Sequence, residues 1–107
     1  MRALLQEKYR LVDSEKAREL ILVAQGNKDE LRMLNGLQVG GDLYLSDTPI
    51  TSLPTGLKVG GWFDLYNTKI TSLPTDLKVG GDLYLAGTKI TTLPPDLQVG
   101  GKIYKDF

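Results

Sequence analysis

Cysteine and histidine are both absent from this 107-residue chain. Without them there are no disulfides, no thiolate nucleophile, none of the usual zinc ligands and no imidazole general base. Long apolar runs are missing as well. None approaches the roughly 20 residues that span a bilayer, and Gln6, Glu7 and Lys8 stand where a signal peptide needs its apolar stretch. The expected setting is the cytoplasm, with no membrane partner; secretion without a cleavable signal stays open. Thirteen basic and thirteen acidic residues cancel, so no basic field exists to hold a nucleic-acid backbone and no nucleic-acid partner is implied. Arg and Glu are confined to the first 36 residues, after which the charged residues are Lys and Asp alone. The length supports one domain with a modest core.

Repetition takes the place of what is missing. Leu37-Gln-Val-Gly-Gly-Asp-Leu-Tyr-Leu returns from Leu57, from Leu77 and, shortened, from Leu97. Thr48, Thr68 and Thr88, then Ile50, Ile70 and Ile90, then the Leu-Pro pairs at 53–54, 73–74 and 93–94 keep the same spacing. A fixed twenty-residue period marks a solenoid, in which each unit buries its apolar side by stacking on its neighbours. The units are 37–56, 57–76, 77–96 and a partial 97–107, behind a segment 1–36 of different composition. All are expected to form one folding unit.

In the first segment, Asp13 or Ser14 can cap a helix that carries Ala17, Leu20, Ile21 and Ala24 on one side and stops at Gly26. Asn27 with Glu30 resembles a capping box for a short helix bearing Leu31, Met33 and Leu34. A further helix is expected over residues 2–12, with Leu4, Leu5, Tyr9 and Val12 as its apolar side. Helices ahead of a repeat array most economically serve as a helical cap over its first unit. Within each repeat the alternation in "DLYL" predicts one strand, with Leu43 and Leu45 inward and Asp42, Tyr44 and Ser46 outward. The Leu-Pro steps suit an extended return segment rather than a helix. The threonines are placed to bond backbone groups at the turn after each strand. The paired glycines admit positive φ and close backbone packing.

"LYLSDTPITSLP", "FDLYNTKITSLP" and "LYLAGTKITTLP" resemble the leucine-rich repeat pattern L-x-L-x-x-N-x-L-x-x-L-P, with Thr at the usual Asn position, over roughly residues 37–107. The resemblance is to the short bacterial type, which includes secreted effectors that bind host proteins. It implies an α/β solenoid: a helical cap followed by a horseshoe with one parallel strand per repeat. A parallel β-helix, with "TKIT" as a second strand, is the alternative.

Few residues carry chemistry. The glycine pairs precede strands rather than helices and lack the G-K-S/T or G-x-G-x-x-G context of a phosphate loop. Asp42, Asp64 and Asp82 lie on the outward strand face, but an open sheet keeps them wet, with nothing to tune a catalytic acid. No enzyme, cofactor or metal site is expected. Across the strands the outward positions read Asp42, Trp62, Asp82, Lys102, then Tyr44, Asp64, Tyr84, Tyr104, then Ser46, Tyr66, Ala86, Asp106. The single Trp and four of the five Tyr gather there. Aromatics interleaved with Asp are the material of protein-binding hot spots. The expected function is a non-enzymatic module binding a protein on a concave face built from Asp42, Tyr44, Trp62, Asp64, Tyr66, Asp82, Tyr84 and Tyr104. A small bacterial or phage inhibitor would fit that size. A carbohydrate binder and a ligand-free scaffold fragment are the alternatives. Lys58, Lys69, Lys78 and Lys89 are assigned to a solvated outer surface. The last copy breaks off after its strand, with Lys105 where Leu45, Leu65 and Leu85 stood. Lys105 and Phe107 either close the core locally, or the edge Lys102, Ile103, Tyr104, Lys105 and Phe107 pairs with a second copy as a homodimer.

Overall fold

The computed structural model describes residues 11–107. The twenty-residue period becomes a small β-solenoid of about three turns. Two helices lie near its start, α1 (Ser14–Val23) and α2 (Lys28–Met33). The strands among the described residues are β1 (Leu11–Val12), β2 (Gln38–Val39), β3 (Leu43–Tyr44), β4 (Lys58–Val59), β5 (Phe63–Asp64), β6 (Lys78–Val79), β7 (Leu83–Tyr84), β8 (Gln98–Val99) and β9 (Ile103–Tyr104). They form two parallel sheets, ordered β1-β2-β4-β6-β8 and β3-β5-β7-β9. From β2 onward each strand pairs with the one twenty residues later, so that Tyr44, Asp64, Tyr84 and Tyr104 fall in one row.

Each repeat therefore carries two strands, which corrects the expectation of one. The extra strand is the Gln38–Val39 segment and its copies, not "TKIT", which stays irregular. Val39, Val59 and Val79 point into the core there, and parallel stacking pairs the backbone on both sides of the glycines. Lys58 and Lys78 accordingly lie in register in the first sheet, both exposed.

The core is a stack of equivalent side chains. Leu37, Leu57 and Leu77, then Leu43, Phe63 and Leu83, then Leu45, Leu65 and Leu85, then Ile50, Ile70 and Ile90 are buried in columns. Ala17, Ile21, Ala24 and Leu34 belong to the same apolar cluster. Each threonine hydroxyl bonds the carbonyl three residues back: Thr48 to Leu45 at 2.6 Å, Thr68 to Leu65 at 2.9 Å and Thr88 to Leu85 at 2.8 Å.

The paired glycines serve close approach and not positive φ. None of them has a left-handed backbone; that conformation falls at Gly26, Gly36, Gly56 and Gly87 and at Asp47, Asn67 and Asp76. A Cβ on Gly80 would lie 2.3 Å from the Gly60 carbonyl oxygen, and one on Gly100 2.4 Å from that of Gly80. Turns that stack this tightly leave no room for a methyl group.

The helices start as the sequence suggests. Asp13 caps α1 by accepting from the Lys16 amide at 2.8 Å, and Asn27 caps α2 by accepting from Asp29 and Glu30. Met33 is exposed rather than inward. Of the helix expected over residues 2–12, Leu11 and Val12 form β1 instead, and residues 2–10 lie outside the described residues.

The two ends of the solenoid differ. At the amino-terminal end β1 pairs with β2, and the Ser14 hydroxyl and Arg18 guanidinium donate to the outer carbonyls of β3, at Asp42 and Tyr44. The Gln25 amide donates to Ser52 and accepts from Thr51 and Ser52. Asn35 accepts from Thr55. At the other end Leu93, Leu97, Val99 and Ile103 are only partly buried, although their counterparts one turn earlier, Leu73, Leu77, Val79 and Leu83, are covered. Lys105 Nζ donates to the Phe107 carbonyl at 2.6 Å and lies 4.7 Å from the centre of its ring, but both residues stay exposed. Among the described residues no helix is long and apolar enough to cross a membrane.

Candidate functional site

Period-two alternation turns one side of each β3-type strand into the core and the other to solvent. The register then assembles the outward residues of four turns into one face. Trp62, Tyr84 and Tyr104 form a contiguous row on it. The Trp62 and Tyr84 rings meet edge to face, with centroids 6.4 Å apart and planes at 79°. Tyr84 and Tyr104 stack at 4.9 Å and 6°. Such contacts hold the rings in place before any ligand arrives. Gly81 provides the space for Trp62, since a Cβ there would lie 2.5 Å from the indole Cδ1. Tyr44 and Tyr66 are exposed on the same face, 45% and 52% accessible, and Trp62 is 48% accessible. These large apolar surfaces are in water but fixed to a rigid sheet.

The carboxylates have structural work as well. Asp42 accepts from the Trp62 amide at 2.7 Å and from the Tyr44 hydroxyl at 2.9 Å. Asp82 accepts from the Lys102 amide at 2.9 Å and the Tyr84 hydroxyl at 3.4 Å. Each therefore staples its own turn to the next. Asp64 accepts from the Tyr66 amide at 3.0 Å, within its own turn. Among the described residues no group of three or more acidic side chains, cysteines or histidines is arranged to hold a metal ion.

These contacts move two phenols. The hydrogen bond to Asp42, then desolvation, raises Tyr44 above its ordinary 10.0. Desolvation, then the Asp82 charge, raises Tyr84. Because the folded values are the higher ones, the fold favours the neutral phenols. The stabilisation is complete below pH 10 and fades as the pH rises through the raised values. Tyrosinate absorbance followed against pH should show Tyr44 and Tyr84 ionising late, and Asp42→Asn should bring Tyr44 earlier. An unchanged titration in that variant would remove the Asp42 hydrogen bond as the cause.

Sequence reasoning placed the outward columns where they stand but missed the side chains that close the amino-terminal end, Ser14, Arg18, Gln25 and Asn35. It also missed the turn ladder formed by Asp47 and Asn67, where the Asn67 amide donates to Asp47 at 2.7 Å. The Asp-Asn-Gly column at 47, 67 and 87 was the available signal, since these residues tolerate positive φ best. No family model, curated protein or solved structure matches the chain.

Proposed function

We propose that the chain is a non-enzymatic interaction module that binds a protein partner on the outward face of the β3-β5-β7-β9 sheet. The carrying observation is the row Trp62, Tyr84 and Tyr104, exposed at both ends and half-buried at Tyr84, and held by mutual ring contacts. Preorganised aromatics lose little conformational freedom on binding, and Trp and Tyr dominate binding hot spots. Asp64 and the flanking Asp42 and Asp82 add acceptors and negative charge around the row. On this reading α1 and α2 act as a cap for the repeats. The L-x-L and Leu-Pro spacing supports kinship with leucine-rich repeats, and the partner-binding role such repeats serve elsewhere agrees with it.

The test is affinity capture from the source cell with wild-type protein beside Trp62→Ala, with far-UV circular dichroism to confirm that both fold. A defined protein partner bound by the wild type should be lost at least tenfold in the variant, the scale of a hot-spot side chain. Equal capture by both proteins would reject the aromatic row as the binding site. Binding to a glycan array that depends on Trp62 would replace the protein partner with a carbohydrate.

A further inference from the structure

We infer that the protein partner contributes an arginine whose guanidinium seats on Asp64, ringed by Tyr44, Trp62, Tyr66 and Tyr84, an assignment that rests on the protein-binding reading of this face. The repeat breaks at its middle turn. The outward residues of the first and third turns run Asp42, Tyr44, Ser46 and Asp82, Tyr84, Ala86, whereas those of the middle turn run Trp62, Asp64, Tyr66. All three outward positions depart from the pattern, although the inward Leu57, Val59, Leu65 and Ile70 keep it and are buried. Stacking needs that inward frame and does not need the exchange.

The exchange releases one carboxylate. In the flanking turns the aspartate and tyrosine of the same strand satisfy each other. Asp42 takes the Trp62 amide at 2.7 Å and the Tyr44 hydroxyl at 2.9 Å on separate oxygens. Asp82 likewise takes the Lys102 amide and the Tyr84 hydroxyl. Asp64 stands where its neighbours have tyrosine. Its Oδ1 accepts from the Tyr66 amide at 3.0 Å, and its Oδ2 has no hydrogen-bond donor among the described residues.

Rings surround that oxygen's carboxylate on four sides. Register places Tyr44 and Tyr84 beside Asp64 on the two neighbouring strands, about 4.8 Å away. Trp62 and Tyr66 lie two residues before and after it on the same face, about 6.6 Å along the strand. The Trp62 and Tyr84 planes stand at 79° and form a corner. Tyr66, between the small Ser46 and Ala86, stays 52% accessible. Aromatic faces attract cations. A guanidinium suits this site because it is planar and weakly hydrated, so it lies flat on a ring while its N–H edge reaches a carboxylate. The chain does not supply that cation. The ion pairs among the described residues are Lys16 with Glu19 and Arg32 with Asp29. Arg18 is held on the Tyr44 carbonyl at 2.9 Å, and Lys102 lies beside β9.

The chain has a single tryptophan, so its fluorescence reports on this site alone. Titration with acetylated, amidated Arg-Arg-Arg should change the Trp62 emission saturably, and Glu-Glu-Glu with the same ends should not. Asp64→Asn keeps an acceptor for the Tyr66 amide and should weaken the arginine peptide at least tenfold. Asp29→Asn removes the same charge from an exposed pair on α2 and should leave binding unchanged. Circular dichroism of both variants should remain that of wild type. No saturable change up to about 10 mM peptide would overturn the proposal, and so would equal weakening by the two variants, which would mean attraction to net charge alone. In the affinity capture, a partner lost by Trp62→Ala but held by Asp64→Asn would overturn the arginine site and leave the protein-binding face standing. A partner held by both would remove both.

Discussion

Gly80→Ala is expected to lose about 3 to 5 kcal/mol of stability, whereas Gly40→Ala, at the same place in the repeat, stays within about 1 kcal/mol of wild type. The difference comes from what each new methyl group would meet. At Gly80 it is the Gly60 carbonyl oxygen at 2.3 Å, a backbone atom that no rotamer change can move aside. The turns must separate locally, which threatens the bonds from Gly80 to Val59 at 2.8 Å and from Gly81 to Gly61 at 2.9 Å. Each is worth about 0.5–1.5 kcal/mol, in addition to the overpacking cost of about 1–3 kcal/mol. At Gly40 the nearest atom is a flexible Leu11 methyl at 3.6 Å, an ordinary contact. Gly60 lies between, with the Val39 carbonyl at 3.2 Å. Urea denaturation of the three variants should therefore rank Gly40, Gly60 and Gly80 in order of increasing loss. Equal losses at Gly40 and Gly80 would mean that the Val-Gly-Gly motif matters for some reason other than the closeness of neighbouring turns.

Phe63→Ala should cost about 3–5 kcal/mol and lower the melting temperature by about 15 °C or more. Phe63 is fully buried in the middle turn, stacked between Leu43 and Leu83. It is the largest of the fully buried side chains, so truncation empties the centre of the stack, where neither end can relax into the gap. That loss is a large share of the roughly 5–15 kcal/mol that holds a typical domain together. Phe63→Leu restores the residue that the column uses above and below, and should cost less than about 1.5 kcal/mol. Thermal melts of the two variants separate these outcomes. If leucine proved as damaging as alanine, the column would not be a set of interchangeable leucine-sized sites.

Much of this architecture was legible because the period repeats every choice. One "DLYL" stretch is ambiguous, but copies at 42, 82 and, altered, at 62 fix which side of the strand is apolar, and Leu43 and Leu45 are buried as that pattern requires. Other features were hidden for physical reasons. The strand at Gln38–Val39 runs straight into the glycine pair, which cuts its alternation short, so it reads as part of a loop. Leu11 and Val12 pair with it without the glycine pair that marks the other copies. The glycine pairs admitted both positive φ and close backbone packing, and only the second is used, against a neighbouring turn whose distance no local reading contains. On the outward face the register of Tyr44, Asp64, Tyr84 and Tyr104 followed from the period alone. The bonds from Asp42 and Asp82 to the next turn did not, because an exposed aspartate looks the same in sequence whether it faces water or a backbone amide.

The contacts at the amino-terminal end also bear on how the stack depends on its order. Every later turn bonds to a turn twenty residues away, so each loop closure costs about the same entropy. What differs is the surface onto which a turn closes. The first turn packs against β1, α1 and the side chains of Gln25 and Asn35, and every later turn packs against its predecessor. A break in the stack at any turn therefore leaves every later turn without the neighbour it is built on.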